Sequence, residues 1–92
     1  MKLEFNMDGE MEQYAPEIKR FLGLMLEKLA KNVHKGKWED MDMVTAFKFM
    51  LTEIRELRQS LDGGFPSDDI IRECADVANF AMILASIAEK PQ

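Results

Sequence analysis

Two pairs of acidic residues are the groups in this chain whose types and spacing could do chemistry. The first pair is Glu53 and Glu56, and the second is Glu73 and Asp76. Three residues is nearly one helical turn, so each pair projects from one side of a helix. An antiparallel pairing of the two helices would bring four carboxylates together. Four such groups repel one another unless protons or cations intervene, and oxygen ligands of this kind suit Mg²⁺ or Mn²⁺.

The helix that follows the second pair indicates the surroundings of the Asp76 carboxylate. Residues 77–88 are apolar at every position except Asn79 and Ser86, which predicts a helix buried on most sides. On a helical wheel, Asp76 shares an arc with Phe80, Ile83 and Ile87. An unpaired buried charge costs on the order of several kcal/mol. A metal ion is therefore a good candidate for neutralising Asp76.

At these acids the sequence resembles the MazG-like, all-α nucleoside triphosphate pyrophosphohydrolases. That family is recognised by E-x-x-E, a spacer of variable length and then E-x-x-D. Here the matching residues are Glu53-x-x-Glu56 and Glu73-x-x-Asp76. The resemblance implies that these four acids are the metal ligands.

The resemblance extends beyond the acids to about residues 17–90. Residues 76–80, Asp-Val-Ala-Asn-Phe, look like the family's usual continuation of the second motif. Residues 32–38, Asn-Val-His-Lys-Gly-Lys-Trp, resemble a basic, Trp-containing segment of small, phage-type members. The chain is thus similar to a small member of the family along most of its length.

The chemistry to expect is metal-assisted hydrolysis. Divalent ions, Mg²⁺ or alternatively Mn²⁺, would bind the triphosphate and lower the pKa of an attacking water. Glu53 or Glu56 would take the proton from that water as general base. The resemblance implies conversion of a (deoxy)nucleoside triphosphate to the monophosphate and pyrophosphate, a reaction that controls the nucleotide pool.

Two other functions are compatible with the same residues. One is a different activity of the same superfamily, a dUTP diphosphatase or a phosphoribosyl-ATP pyrophosphatase. The other is a non-catalytic helical oligomerisation module whose acids bind a structural cation or face solvent. No phosphate-binding glycine loop and no zinc-spaced Cys and His set is present in the sequence.

Four residues are candidates for binding the substrate. Lys35 or Lys37 could contact phosphate oxygens, and Trp38 could pack on or near the base. The alternative is a charged loop in which Trp38 covers the end of the bundle. Asn79 either satisfies a buried backbone or subunit contact or donates a hydrogen bond to the substrate.

The apolar spacing predicts three main helices. The first begins near Pro16 and continues to about Val33, with one apolar stripe formed by Ile18, Phe21, Leu22, Met25 and Leu29. The second begins at a cap, Asp40 or Asp42, and ends at Gly63-Gly64. Its predicted buried stripe consists of Val44, Phe47, Leu51, Ile54, Leu57 and Leu61.

The third helix is predicted to begin at Ser67, a good N-cap residue, with acids in its first turn where the helix dipole favours them. Residues 1–13 form a predicted arm or leader, and residues 14–92 form a single domain. The expected fold is an all-α, compact bundle of three to four helices. The chain is 47% hydrophobic with eight Met, so part of its apolar surface is expected between subunits. The resemblance implies a homodimer or homotetramer.

The net charge limits the classes of partner that the chain is expected to bind. A net charge of −5, from 17 acids and 12 Lys and Arg, argues against binding duplex nucleic acid or an anionic membrane surface. A bound metal would make the local charge positive, which would favour binding of a negatively charged triphosphate. Cys74 is the only cysteine, so an intramolecular disulfide is impossible. The N-terminus lacks a signal-peptide pattern, and the predicted location is cytoplasmic.

Overall fold

A computed structural model describes residues 9–32 and 38–90, and its regular structure there is entirely helical. Short 3-10 helices at Gly9–Tyr14 and Trp38–Asp40 precede the first two of three α-helices. These are α1 (Ala15–Asn32), α2 (Met43–Asp62) and α3 (Ser67–Ala88). Helix α3 packs against both α1 and α2, which confirms an all-α, bundle-like fold. In the described part of the chain, no helix has the length and hydropathy needed to cross a bilayer.

Helix α2 begins and ends where the sequence predicts. The Asp42 carboxylate accepts a hydrogen bond from the Thr45 amide at 2.7 Å, and this bond lowers the pKa of Asp42. At the other end, the Gly63 amide donates to the Gln59 carbonyl at 2.9 Å. Gly64 follows with φ +64°, a left-handed conformation that favours glycine. The two glycines therefore stop α2 and turn the chain toward α3.

The predicted cap of α3 is wrong by one residue. Pro66 occupies the N-cap position, and no side-chain capping hydrogen bond forms. The Pro66 carbonyl already accepts hydrogen bonds from the amides of Asp69 and Ile70, at 3.0 and 3.3 Å, so Ser67 is the first helical residue. Asp68 and Asp69 lie in the first turn, as predicted.

Small side chains define the contact between α2 and α3. Ala46 on α2 and Ala75 on α3 have no solvent exposure, and Ser60 is also buried. Around Ala46 the core contains Ile83 and Ile87, with partly buried neighbours Trp38, Met41, Phe80 and Leu84. These residues include the apolar arc predicted for α3. Small residues let two helix backbones approach closely, which brings the acids of the two helices toward each other.

The predicted buried stripe of α2 is wrong. Four of its six members are exposed: Val44, Phe47, Ile54 and Leu61. The line of α2 that faces α3 instead consists of Ala46, Met50, Glu53, Leu57 and Ser60. A hydrophobicity pattern favours the larger side chains for burial, whereas close helix packing here selects the smaller ones. One acid, Glu53, therefore lies on the line of α2 that faces α3.

Helix α3 is also more exposed than its composition predicts. Met82 and Ile71 are exposed, and so are Ala81 and Ala85. The predicted stripe of α1, by contrast, is partly buried at all five positions. Since α3 lies between α1 and α2, its remaining side has no covering element within the described residues.

Candidate metal centre

Three of the four predicted metal ligands meet at the contact between α2 and α3. Glu53, Glu73 and Asp76 each offer a carboxylate oxygen, and these oxygens all lie within 4.8 Å of one another. All three residues are partly buried. They converge because Glu53 faces α3, and because Glu73 and Asp76 are nearly one turn apart on the facing helix.

The spacing of the three oxygens suits one divalent cation. Oxygens on opposite sides of an ion are about 4.2 Å apart for Mg²⁺ and about 4.6–5.2 Å apart for Ca²⁺. The limit of 4.8 Å in this cluster is longer than the Mg²⁺ value and lies inside the Ca²⁺ range. The oxygens would have to approach one another by up to about 0.6 Å to bind Mg²⁺, which prefers carboxylate oxygens as ligands.

Crowding of like charges shifts the protonation of the cluster. Burial raises the pKa of Glu53 to about 7, assisted by a hydrogen bond to Glu56 and by the charges of Glu56, Asp76 and Glu73. Burial also raises the pKa of Glu73, and the charges of Glu56 and Asp76 act in the same direction. At a pH between about 4.5 and about 7, Glu53 in the folded chain thus holds a proton that an ordinary glutamate would release. A bound cation would remove the need for that proton.

One oxygen of the cluster lacks a partner. Glu73 Oε2 is buried and accepts no hydrogen bond within the described structure. Leaving a buried acceptor unsatisfied costs about 1–3 kcal/mol, and more when the group is charged. A cation beside Glu73 would satisfy this oxygen directly, so the orphan acceptor supports the fit between these residues and a metal.

Asp76 has a counter-ion that the sequence analysis did not anticipate. The Lys28 ammonium on α1 lies 3.2 Å from Asp76 Oδ2, and both side chains are mostly buried. The charge of Asp76 is therefore compensated by Lys28 and does not by itself require a metal ion. Lys28 lies three residues after Met25, and Asp76 lies three residues before Asn79, whose side chain donates to the Met25 carbonyl. The Lys28–Asp76 pair therefore joins the same two helices as that hydrogen bond. This spacing predicts an ion pair only once α1 is known to pack on α3.

Glu56 stands apart from the other three acids. It is exposed and does not belong to the group whose oxygens converge. Its charge nevertheless raises the pKa values of Glu53 and Glu73, so it lies beside the cluster. The four predicted ligands therefore divide into three converging carboxylates and one at the rim.

The predicted substrate-binding residues have different positions. Lys35 and Lys37 lie outside the described residues. Trp38 packs against the core cluster of α2 and α3. Asn79 is only 5% exposed, and its Nδ2 donates a hydrogen bond to the Met25 carbonyl at 3.1 Å. Its Oδ1 is buried without a partner within the described structure. Asn79 thus joins α3 to α1, the buried-contact alternative that the sequence left open.

The raised pKa values predict a specific pH dependence of stability without metal. Glu53 titrates near 4.5 when unfolded and near 7 when folded, so the folded state binds the extra proton between these values. The free energy of unfolding is then highest near the lower value and falls as the pH rises through about 7. We expect the melting temperature in EDTA to fall between about pH 5 and about pH 8.

The substitution Glu53→Gln removes that titration, so this variant should show a flatter profile and greater stability at the alkaline end. Glu17→Gln, at an exposed acid in the first turn of α1, is the matched control and should keep the wild-type slope. A wild-type melting temperature that rises over this range would contradict the crowded arrangement of carboxylates.

Removing the Lys28 charge tests the link between α1 and the cluster. Lys28→Met keeps an apolar stem but leaves Asp76 without its counter-ion, so unfolding in EDTA at alkaline pH should become easier by about 1 kcal/mol. Millimolar Mg²⁺ should recover most of that loss. The control is Lys31→Met, whose exposed pair with Glu27 at 3.5 Å should contribute about 0.3–0.5 kcal/mol and no Mg²⁺ dependence. Equal losses in the two variants would contradict the assignment.

Comparisons with known proteins do not identify a family. No protein-family model, no curated protein and no solved structure matches this chain. The geometry of the cluster is therefore the basis for a functional conclusion.

Proposed function

We propose that the chain is a Mg²⁺-dependent pyrophosphohydrolase that converts (deoxy)nucleoside triphosphates to monophosphates and pyrophosphate. The observation that carries this proposal is the convergence of Glu53, Glu73 and Asp76 oxygens within 4.8 Å. The buried Glu73 oxygen supports it, because this oxygen accepts no hydrogen bond from the described residues and a cation beside it would satisfy it. The reaction itself comes from the resemblance of the two acidic motifs to the MazG-like enzymes.

Each acid has a distinct role in this proposal. Glu53, Glu73 and Asp76 would hold a cation at the contact between α2 and α3. Mg²⁺ in that position would neutralise charge on the phosphates and lower the pKa of the attacking water. Lys28, beside Asp76, adds a positive charge at the same edge and reduces the repulsion between an acidic chain and a triphosphate.

Glu56 is the better candidate for the general base. A carboxylate that binds a cation is a weaker base, because the cation neutralises its negative charge. Glu56 is exposed and lies outside the converging group. It is close enough to Glu53 to form a hydrogen bond, so its carboxylate lies at the rim of the cluster. From there it could accept a proton from the attacking water, whose pKa a bound cation would lower.

A non-catalytic function is the second candidate, and the contact between Lys28 and Asp76 favours it. An ammonium 3.2 Å from Asp76 Oδ2 neutralises one of the three acids without a metal. Glu53, whose pKa is about 7, could then carry a proton and so reduce its repulsion with Glu73. In this case the cluster would be a structural feature of a helical oligomerisation module and would hydrolyse nothing.

Release of pyrophosphate and orthophosphate from a panel of nucleotides distinguishes these candidates. The panel contains the canonical ribo- and deoxynucleoside triphosphates, dUTP and phosphoribosyl-ATP, each assayed with Mg²⁺ and with EDTA. We expect Mg²⁺-dependent release of pyrophosphate without orthophosphate. The preferred substrate identifies which activity of the superfamily is present.

Two variants separate metal binding from proton transfer. Glu73→Gln should raise the Mg²⁺ concentration required for half-maximal turnover, because a ligand is lost. Glu56→Gln should lower kcat about 10²–10⁴-fold while the Mg²⁺ requirement stays near that of the wild type. Glu17→Gln, far from the cluster in sequence and exposed, should leave both quantities unchanged. No turnover of any nucleotide by a folded protein that binds Mg²⁺ would favour the non-catalytic module.

A further inference from the structure

A pair of aromatic rings lies beside the acidic cluster. The rings of Phe49 on α2 and Phe80 on α3 are stacked, with their centroids 5.7 Å apart and their planes inclined by 27°. Phe80 is partly buried, whereas Phe49 is 46% exposed. Since Phe80 lies against one face of the Phe49 ring, the accessible surface is on the rest of that side chain. The contact with Phe80 thus holds in place a ring that solvent can reach.

The aromatic pair and the acids occupy neighbouring turns of the same two helices. Phe49 precedes Glu53 by four residues on α2, and Phe80 follows Asp76 by four residues on α3. Four residues of α-helix rise about 6 Å, slightly more than one turn. Because α2 and α3 meet both at the rings and at the carboxylates, the aromatic pair lies about one turn from the cluster.

Phe49 lies on the flank of α2 that also carries Glu56. At about 100° per residue, Phe49 is about 40° around the helix from Glu53, and Glu56 is about 60° from Glu53 in the same direction. Phe47, which has the same exposure of 46%, lies about 160° around the helix from Phe49. The exposed acid at the rim and the exposed ring of Phe49 therefore share one side of the helix pair.

A nucleotide has its phosphates and its base in a matching order. One sugar ring separates the charged phosphates from the flat base, a separation similar to one helical turn. With the phosphates at a cation in the acidic cluster, the base would lie toward one end of the cluster or the other. Residues 57–62 of α2 and 67–72 of α3, at the end away from Phe49, contain no aromatic side chain. On these two helices, the end at Phe49 and Phe80 is therefore the one that offers a ring.

Trp38, the candidate that the sequence indicates for packing on the base, lies near the same end. It packs against the core cluster around Ala46, which precedes Phe49 by three residues on α2. Phe80 packs against the same core cluster. The aromatic side chains that neighbour the acids thus gather at one end of the metal centre.

We propose that the exposed ring surface of Phe49, packed on Phe80, is the stacking surface for the base of the nucleotide. This inference rests on the proposed function, because it requires the phosphates to bind at the acidic cluster. Stacking on an aromatic side chain accepts any base, since every base has a π-face. The site therefore accepts several bases and modestly favours a purine, whose larger ring system stacks more strongly.

Binding of two ligands that differ in the presence of a base tests the proposal without turnover. One is α,β-methylene-ATP, whose α–β bridge is not hydrolysed, and the other is inorganic tripolyphosphate, which has no base. Calorimetry with the full chain in Mg²⁺ gives the Kd of each ligand. Phe49→Leu retains an apolar contact for Phe80 but removes the ring. It should raise the Kd of the nucleotide at least about fivefold and leave that of tripolyphosphate unchanged.

Matched variants at the two equally exposed phenylalanines separate stacking from a general loss of structure. Phe47→Leu removes a ring of the same exposure on the other flank and should change neither Kd. Phe49→Tyr keeps the ring and should keep the wild-type affinity for the nucleotide. Phe49→Met replaces Phe49→Leu if circular dichroism shows that the leucine variant is unfolded. An unchanged nucleotide Kd in Phe49→Leu, or an equal loss for both ligands, would overturn the proposal.

The choice of base provides a second measurement. The α,β-methylene analogue of CTP should bind less tightly than that of ATP, but within about tenfold, because stacking tolerates both bases. A preference of about 10⁴-fold for one base would show recognition by hydrogen bonds instead and would overturn the stacking surface as the source of specificity.

Failure of this inference and failure of the proposed function give different results. A nucleotide that binds through Phe49 but is not hydrolysed would leave the stacking surface in place and contradict the proposed reaction. Mg²⁺-dependent release of pyrophosphate with the same KM in wild type and Phe49→Leu would support the reaction and overturn the stacking surface. Absence of binding by both ligands would overturn the two together.

Discussion

Repulsion among carboxylates at the contact between α2 and α3 is the constraint on which the rest of the structure depends. Close packing through Ala46 and Ala75, both without solvent exposure, brings Glu53 to the helix that carries Glu73 and Asp76. Three negative charges at this distance are tolerated only with compensation. Without metal, the compensation comes from a proton on Glu53, whose pKa is raised to about 7, and from Lys28 of α1 beside Asp76. A divalent cation would replace that proton and satisfy the buried Glu73 oxygen, which accepts no hydrogen bond from the described residues.

The same packing divides α2 into three lines of side chains. The line of small side chains and Glu53 faces α3, large apolar side chains lie on one flank, and Glu56 lies on the other. Burial of the small residues leaves the large ones exposed, so the arrangement that builds the acidic cluster also creates an apolar surface. The acids and the exposed apolar side chains thus lie on separate sides of one helix.

Much of the architecture could be predicted from the sequence because its signals are local. The Asp42 cap, the Gly63-Gly64 turn and the acidic first turn of α3 depend on neighbouring residues, and the structure places them as expected apart from a one-residue shift at Pro66. The sequence does not predict which side of α2 faces α3. Hydrophobicity favours Phe47 and Ile54 for burial, whereas close approach of the two helix backbones favours alanine and serine.

The two pairs of acids, spaced by three, point correctly to facing helices. Their spacing alone does not show that Glu56 stays at the rim and outside the converging group. The pairing of Lys28 with Asp76 depends on how α1 crosses α3, which no local pattern reveals. The most direct test of the central claim is the anomalous scattering of Mn²⁺ in crystals of the protein. An anomalous peak is expected at coordination distance, about 2 Å, from oxygens of Glu53, Glu73 and Asp76. Crystals at high Mn²⁺ concentration that show no peak at this cluster would contradict it.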